Sequence, residues 1–184
     1  MRPAYIAIFT GLIIVILDQW LKLWIKSNYM LHSEIAEFGF FRLYFIENNG
    51  MAFGWAFGDV WGKIALSVFR VIAVTGIGFI IRNLVNNKAP LGLIICSSLI
   101  MAGAMGNIFD SAFYGLLFSE SYPNVATFMP EGGGYANFLM GDVVDMFHAE
   151  LFWPDWWPDF LVFSDNREVF PFIFNLADAA ITGG

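Results

Sequence analysis

The stretch APLGLIICSSLIMAGAMGNIF, residues 89–109, carries no charged side chain. A helix needs about 20 apolar residues to cross a bilayer, and this one run satisfies that length. Apolar character continues past Asp110 to Phe118. Three further segments read the same way. Residues 3–17 are uncharged and stay apolar past Asp18 to Ile25, residues 64–81 hold only Arg70, and residues 169–184 hold only Asp178. Hydrophobic residues are 58% of the 184, and charged residues 14%. Soluble domains carry about 25% charged residues, so the composition is that of a polytopic membrane protein. The reading predicts an all-α membrane domain covering 1–184, with spans at about 4–25, 64–82, 90–118 and 169–184. The last is short for a span and is expected to be truncated at its C-terminal end.

Two long connections remain, at 27–62 and 119–167, and one short one, NLVNNKAP. Glu34, Glu37, Glu47 and Asp59 stand against Arg42 in the first long loop, and Arg167 is the only base of the acidic second loop. Arg2, Arg82 and Lys88 lie at the opposite ends of the spans. Lys and Arg favour the cytoplasmic side, so both termini are expected there and both acidic loops outside. Lys22 and Lys26, near the outer end of span one, count weakly against this. The net charge of -7 belongs to the outer loops and gives no footprint for nucleic acid. No small-x-small cleavage site follows the N-terminal run, so it reads as an uncleaved span. The single cysteine, Cys96, lies in the third span and reads as a small buried residue.

Carboxylates in apolar surroundings are the informative residues. One at a helix centre costs roughly 2.5–3.5 kcal/mol on insertion scales and usually faces the bundle interior with a partner. In DQWLK, Asp18 and Lys22 are four apart and can pair on one face. In GAMGNIFD, Asn107 and Asp110 are three apart, after Gly103 and Gly106, which permit close helix approach. MGDVVDMF carries Asp142 and Asp145, and alone would read as a strand or turn with solvated acids. FNLADAAI repeats the Asn-x-x-Asp spacing with Asn175 and Asp178. NNGMAFG adds Asn48 and the turn glycine Gly50. Each motif also has a plain structural reading, as an ion pair, a buried polar pair or a loop.

His32 and His148 lie in loops without a second ligand at metal spacing, and no serine or cysteine has a nucleophile's context. Two converging aspartates can share one proton, because like charges so close cannot both ionise easily. One then acts as base on a water and the other as acid, a chemistry that needs no metal and no cofactor.

The five motifs, in this order around four spans, resemble those of the bacterial lipoprotein signal peptidase (signal peptidase II) family over nearly the whole chain. The resemblance implies an intramembrane aspartic endopeptidase that removes the signal peptide from diacylglyceryl-modified prolipoproteins, cutting before the lipid-bearing cysteine. It makes Asp145 and Asp178 the catalytic pair. It makes Asn48, Gly50, Asn107, Asp110, Asn175, Asp18 and Lys22 substrate-binding or supporting residues. It implies a small extracytoplasmic β-rich cradle and a short interfacial helix built from the outer loops. It also implies membrane lipids and globomycin-type inhibitors as partners, a monomer, and a site near the outer face of the bacterial inner membrane. Two departures stand out. The third motif usually ends Asp-Arg, whereas Ser111 follows Asp110 here; Arg167 is the candidate replacement, if anything replaces the arginine. The segment HAELFWPDWWPDFLVFSDNRE, 148–168, is an insert rich in Trp and Pro, read as a loop without catalytic role. The rival reading is a small transporter or channel subunit, with a pore lined by the polar residues of the spans; it requires flux across a bilayer and indifference to Asp145. A scaffold protein would tolerate Asn at both Asp145 and Asp178.

Overall fold

The computed structural model describes residues 3–49, 59–158, 162 and 166–184. Three of its helices are long and apolar enough to cross a membrane: α1 (Pro3–Asn28), α2 (Asp59–Asn86), and α3 (Leu91–Phe109) with its continuation to Leu117. On α1 the large side chains Tyr5, Ile8, Phe9, Leu12, Ile16 and Trp20 point outward, while Ala7, Asp18, Lys22, Ile25 and Lys26 are buried. That is an amphipathic helix turned inside out, as a lipid solvent demands: apolar outside, polar toward its neighbours.

Helix α3 packs against α1, α2 and the short helix α5 (Leu176–Gly183). Its small residues set these distances. A Cβ on Gly103 would collide with the carbonyl oxygen of Ala177, and one on Gly106 would lie 2.6 Å from Asp18 Oδ2. Both clashes are with groups that cannot swing away freely, so glycine is required where α1, α3 and α5 meet. At Asp110 the helix widens into a π-helical segment, Asp110–Tyr114, before a last turn, α4 (Gly115–Leu117). Carbonyls displaced by this widening are capped by the returning loop: Gly141 N–H donates to Ser111 O at 2.9 Å and Ala136 N–H to Gly115 O at 2.9 Å.

The loops form one antiparallel sheet in the order β1 (Glu34–Phe38), β2 (Phe41–Asn48), β3 (Val143–Ala149), β4 (Ile173–Phe174). Alternation gives its central strands two unlike faces. Phe45, Val144 and Met146 are buried with Ile25, Tyr114 and Phe118, so one face closes on the ends of α1 and α3. Asp145, opposite Ile46, is on the other.

One expectation is corrected. The apolar run 169–184 is not one helix: Ile173–Phe174 pair with His148–Phe147 of β3, and helix begins only at Leu176. A run this apolar serves a buried strand as well as a helix, and periodicity cannot separate the two. Residues 50–58, in the first of the outer loops from which the short interfacial helix was expected, lie outside the described residues.

Candidate active site

Asn175 organises the site. It is the N-cap of α5, with an extended backbone at φ -115° and ψ -179°. Its side-chain oxygen accepts from Asp178 N–H at 2.8 Å, and its own N–H donates to Asp178 Oδ2 at 3.3 Å. This reciprocal capping box fixes Asp178 in the first turn of α5. The Asn-x-x-Asp spacing is thus a helix start rather than two residues on one face of a continuous helix. Asn175 Nδ2 also donates to Asp145 Oδ1 at 2.7 Å. The two aspartates, remote in sequence, therefore meet across one asparagine.

Each carboxylate has a further amide donor. Asn107 Nδ2 donates to Asp178 Oδ1 at 2.8 Å, and Asn48 Nδ2 to Asp145 Oδ2 at 3.1 Å. Asn48 stands opposite Val143 in the sheet, two residues from Asp145 on the same face, so strand register aims it. Asp145 is 3% exposed rather than solvated. Burial pushes its carboxyl up to about 7, with the negative charge of Asp178 adding to the rise. The neighbouring Asp142 is not a free acid either: Lys63 of α2 pairs with its Oδ1 at 2.6 Å.

Behind the pair lies a buried ionic cluster. Lys22 Nζ is 3.0 Å from Asp18 Oδ2 and 2.7 Å from Asp110 Oδ2, and donates to Asn107 Oδ1 at 2.9 Å. Asp18 Oδ1 accepts from Ala177 N–H at 2.9 Å, and Asp110 Oδ2 from Val144 N–H at 3.3 Å. Asp18, Lys22 and Asp110 thereby fasten α1, α3, α5 and β3 to one another. Asn107 joins this cluster to the aspartate pair, since it also accepts from Asn175 Nδ2 at 3.1 Å.

Of the candidate residues, Asp145, Asp178, Asn48, Asn107, Asn175, Asp110, Asp18 and Lys22 form this single network. Gly50 lies outside the described residues. Sequence reasoning passed over three contributors. Gln19 Nε2 donates to Asp110 Oδ1 at 2.7 Å, and its Oε1 accepts from Tyr114 OH at 3.1 Å. Lys26, noted only as a charge near the outer end of span one, is buried against Glu47 and Ser121. Arg70 of α2 donates from Nη1 to Ser111 Oγ at 3.3 Å. Arg70 thus places a guanidinium beside Ser111, the residue after Asp110, while Arg167 donates to the carbonyls of Pro154 and Trp157 inside the Trp-rich insert. Arg70 was visible as the sole charge of its span, a signal that marks a functional position by default.

Comparison with known proteins gives a consistent result. The family model Peptidase_A8, described as signal peptidase (SPase) II, matches residues 10–184. A lipoprotein signal peptidase of Porphyromonas gingivalis is 38% identical over 178 residues, covering 94% of this chain and 76% of the relative. One from Amoebophilus asiaticus is 35% identical over 181 residues, 95% of this chain and 72% of the relative. A solved structure described as a bacterial membrane enzyme at 2.3 Å resolution superposes with a TM-score of 0.58 at 20% identity, covering 96% of this chain and 80% of that one. A second, at 1.9 Å, gives 0.55 at 23% identity. These two show a shared fold.

Proposed function

The chain belongs to the signal peptidase II family of membrane aspartic endopeptidases, and on that premise we propose that it cleaves diacylglyceryl-prolipoproteins on the amino side of the lipidated cysteine, with Asp145 and Asp178 as the catalytic pair. The observation that carries the reading is the convergence of both carboxylates on Asn175. The pair holds one proton. In this reading Asp145, whose carboxyl burial raises, is the acid, and Asp178, in the first turn of α5, is the base. Water between them loses a proton to Asp178 as its oxygen adds to the scissile carbonyl carbon, and Asp145 protonates the carbonyl oxygen. Asn107, Asn48 and Asn175 hold the two carboxylates in register throughout. No metal and no cofactor is required.

The location of the site explains its substrate. In this reading the sheet β1–β4 is the extracytoplasmic cradle, α5 is the fourth membrane-embedded helix, and residues 1–184 are one peptidase domain. The pair lies where the sheet meets the helices, at the level where an acylated cysteine would be held by its lipid. Both termini and the 87–90 turn face the cytoplasm. The enzyme acts as a monomer, and globomycin-type inhibitors occupy the substrate groove.

The test is cleavage by purified protein in detergent or liposomes, with the product mapped by mass spectrometry. A single cut before the lipidated cysteine, and none in substrate lacking the lipid, is the expected result. Cutting elsewhere, or equal cutting of unlipidated substrate, would overturn the substrate assignment.

A further inference from the structure

Helix α2 turns one polar stripe toward the site. Lys63, Ser67 and Arg70 are four and three residues apart and so share a face. Lys63 is satisfied by Asp142 and by Met140 O at 3.2 Å, and Ser67 faces Leu139 O at 3.5 Å. Arg70 differs. Its hydrogen bond to Ser111 uses Nη1, and a guanidinium has several other N–H donors. Among the described residues it has no ion pair within 4.0 Å. The carboxylates whose charge reaches it are Asp178, Asp110 and Asp145. Asp110 is already paired with Lys22. Asp178 and Asp145 are then the carboxylates near Arg70 that Lys22 does not pair with.

A structural arginine in a membrane span closes on its counter-ion, because an uncompensated charge is costly there. This one is partly exposed, docked on Ser111 by one hydrogen bond, and makes no ion pair with either aspartate within 4.0 Å among the described residues. A guanidinium docked through one N–H keeps others for an acceptor that arrives there. The group that comes there during reaction is the one whose oxygen becomes negative.

We propose that Arg70 is a further catalytic residue: its unused N–H groups bind the scissile carbonyl oxygen and stabilise the charge that grows there. This rests on the peptidase reading above. As the water oxygen bonds to the carbonyl carbon, the π pair moves onto the carbonyl oxygen. The water proton goes to Asp178, and the proton of Asp145 reaches the charged oxygen. Collapse sends the proton on that oxygen back to Asp145, re-forms the C=O bond, breaks the C–N bond and delivers the proton held by Asp178 to the leaving amine. Arg70 gives up no proton at any stage; it is a fixed donor aimed at the developing oxyanion. Ser111 is a positioning residue that docks it. The cation expected on α3 after Asp110 is thus delivered from α2.

The experiment compares wild type, Arg70→Gln, Arg70→Lys and Ser111→Ala on lipidated prolipoprotein, with kcat and KM resolved and folding followed by thermal melting in detergent. Loss of one oxyanion donor costs about 10²–10³ in kcat, so Arg70→Gln should fall by that order with KM little changed. Arg70→Lys should recover part of the loss, and Ser111→Ala should lose less than either. Wild-type kcat in Arg70→Gln, or losses in both Arg70 variants that only track loss of folded protein, would overturn the inference. Should Arg70→Gln fail to fold, Arg70→Lys decides: a lowered kcat at unchanged KM supports the role, and wild-type kcat refutes it, because an ammonium does not reproduce a docked planar fork. If wild type itself does not cut, the peptidase reading fails and takes this inference with it. If wild type and all variants cut alike, only this inference fails.

Discussion

At the scale of single residues, Asn175 does two jobs with one side chain. Its oxygen starts a helix and its amide nitrogen holds Asp145, so the local rule for helix caps also assembles a long-range site. The shifted carboxyl of Asp145 is directly measurable. Asp178 is the leading charge raising it, so Asp178→Asn should move the Asp145 midpoint below about 7. Infrared titration of the protonated carboxyl band checks this; an unmoved midpoint would mean the two groups are not coupled. The sign for stability follows. Folded Asp145 keeps its proton to about 7 while the unfolded carboxyl loses it near 4, so its contribution to stability declines across that interval as pH rises and is level above it. The spacing of Asn175 and Asp178 was legible in the sequence, but its meaning was not. Asn-x-x-Asp looks the same at a helix start as inside a helix, and only the preceding strand, Ile173–Phe174, decides between them.

At the scale of elements, the buried cluster around Lys22 is the joint between spans. Its pairing with Asp18 could be read from four-residue spacing, whereas Asp110 joins only because α1 and α3 cross there with Gly106 at the contact. The π-helical segment had no sequence signal. It turns Asp110 and Tyr114 toward the same Gln19. Replacing Lys22 by methionine should destabilise the fold by about 3–5 kcal/mol, since two buried carboxylates lose their cation. Adding Asp110→Asn to that variant should restore part of the loss. Unfolding followed in mixed micelles measures both, and equal stability of Lys22→Met and wild type would contradict the assigned joint. The misread fourth segment has a similar lesson. Strand β4 and helix α5 are both apolar because both are buried or lipid-facing, so composition hides the break at Asn175.

At the scale of the whole molecule, composition and charge already implied a membrane protein, and the three long helices agree. The sheet was legible only through family resemblance, because β1 and β2 must find β3, some hundred residues on, before any strand pairing exists. The proposed orientation has a simple consequence. In a Cys96→Ser background, Lys88→Cys should react with a membrane-impermeant thiol reagent only from the cytoplasmic side, and Glu131→Cys only from outside. Both positions are exposed. Labelling of Glu131→Cys from the inside would invert the topology and remove the site from the face where lipid-anchored substrates emerge.

The central claim is that Asp145 and Asp178 work as one unit. Its most direct test is cleavage by Asp145→Asn, Asp178→Asn and the double variant, each checked for folding. Groups that act together are strongly non-additive, so each single change should abolish detectable cutting and the double should be no worse than either. Substantial cleavage by one folded single variant, or losses that simply multiply in the double, would contradict the account.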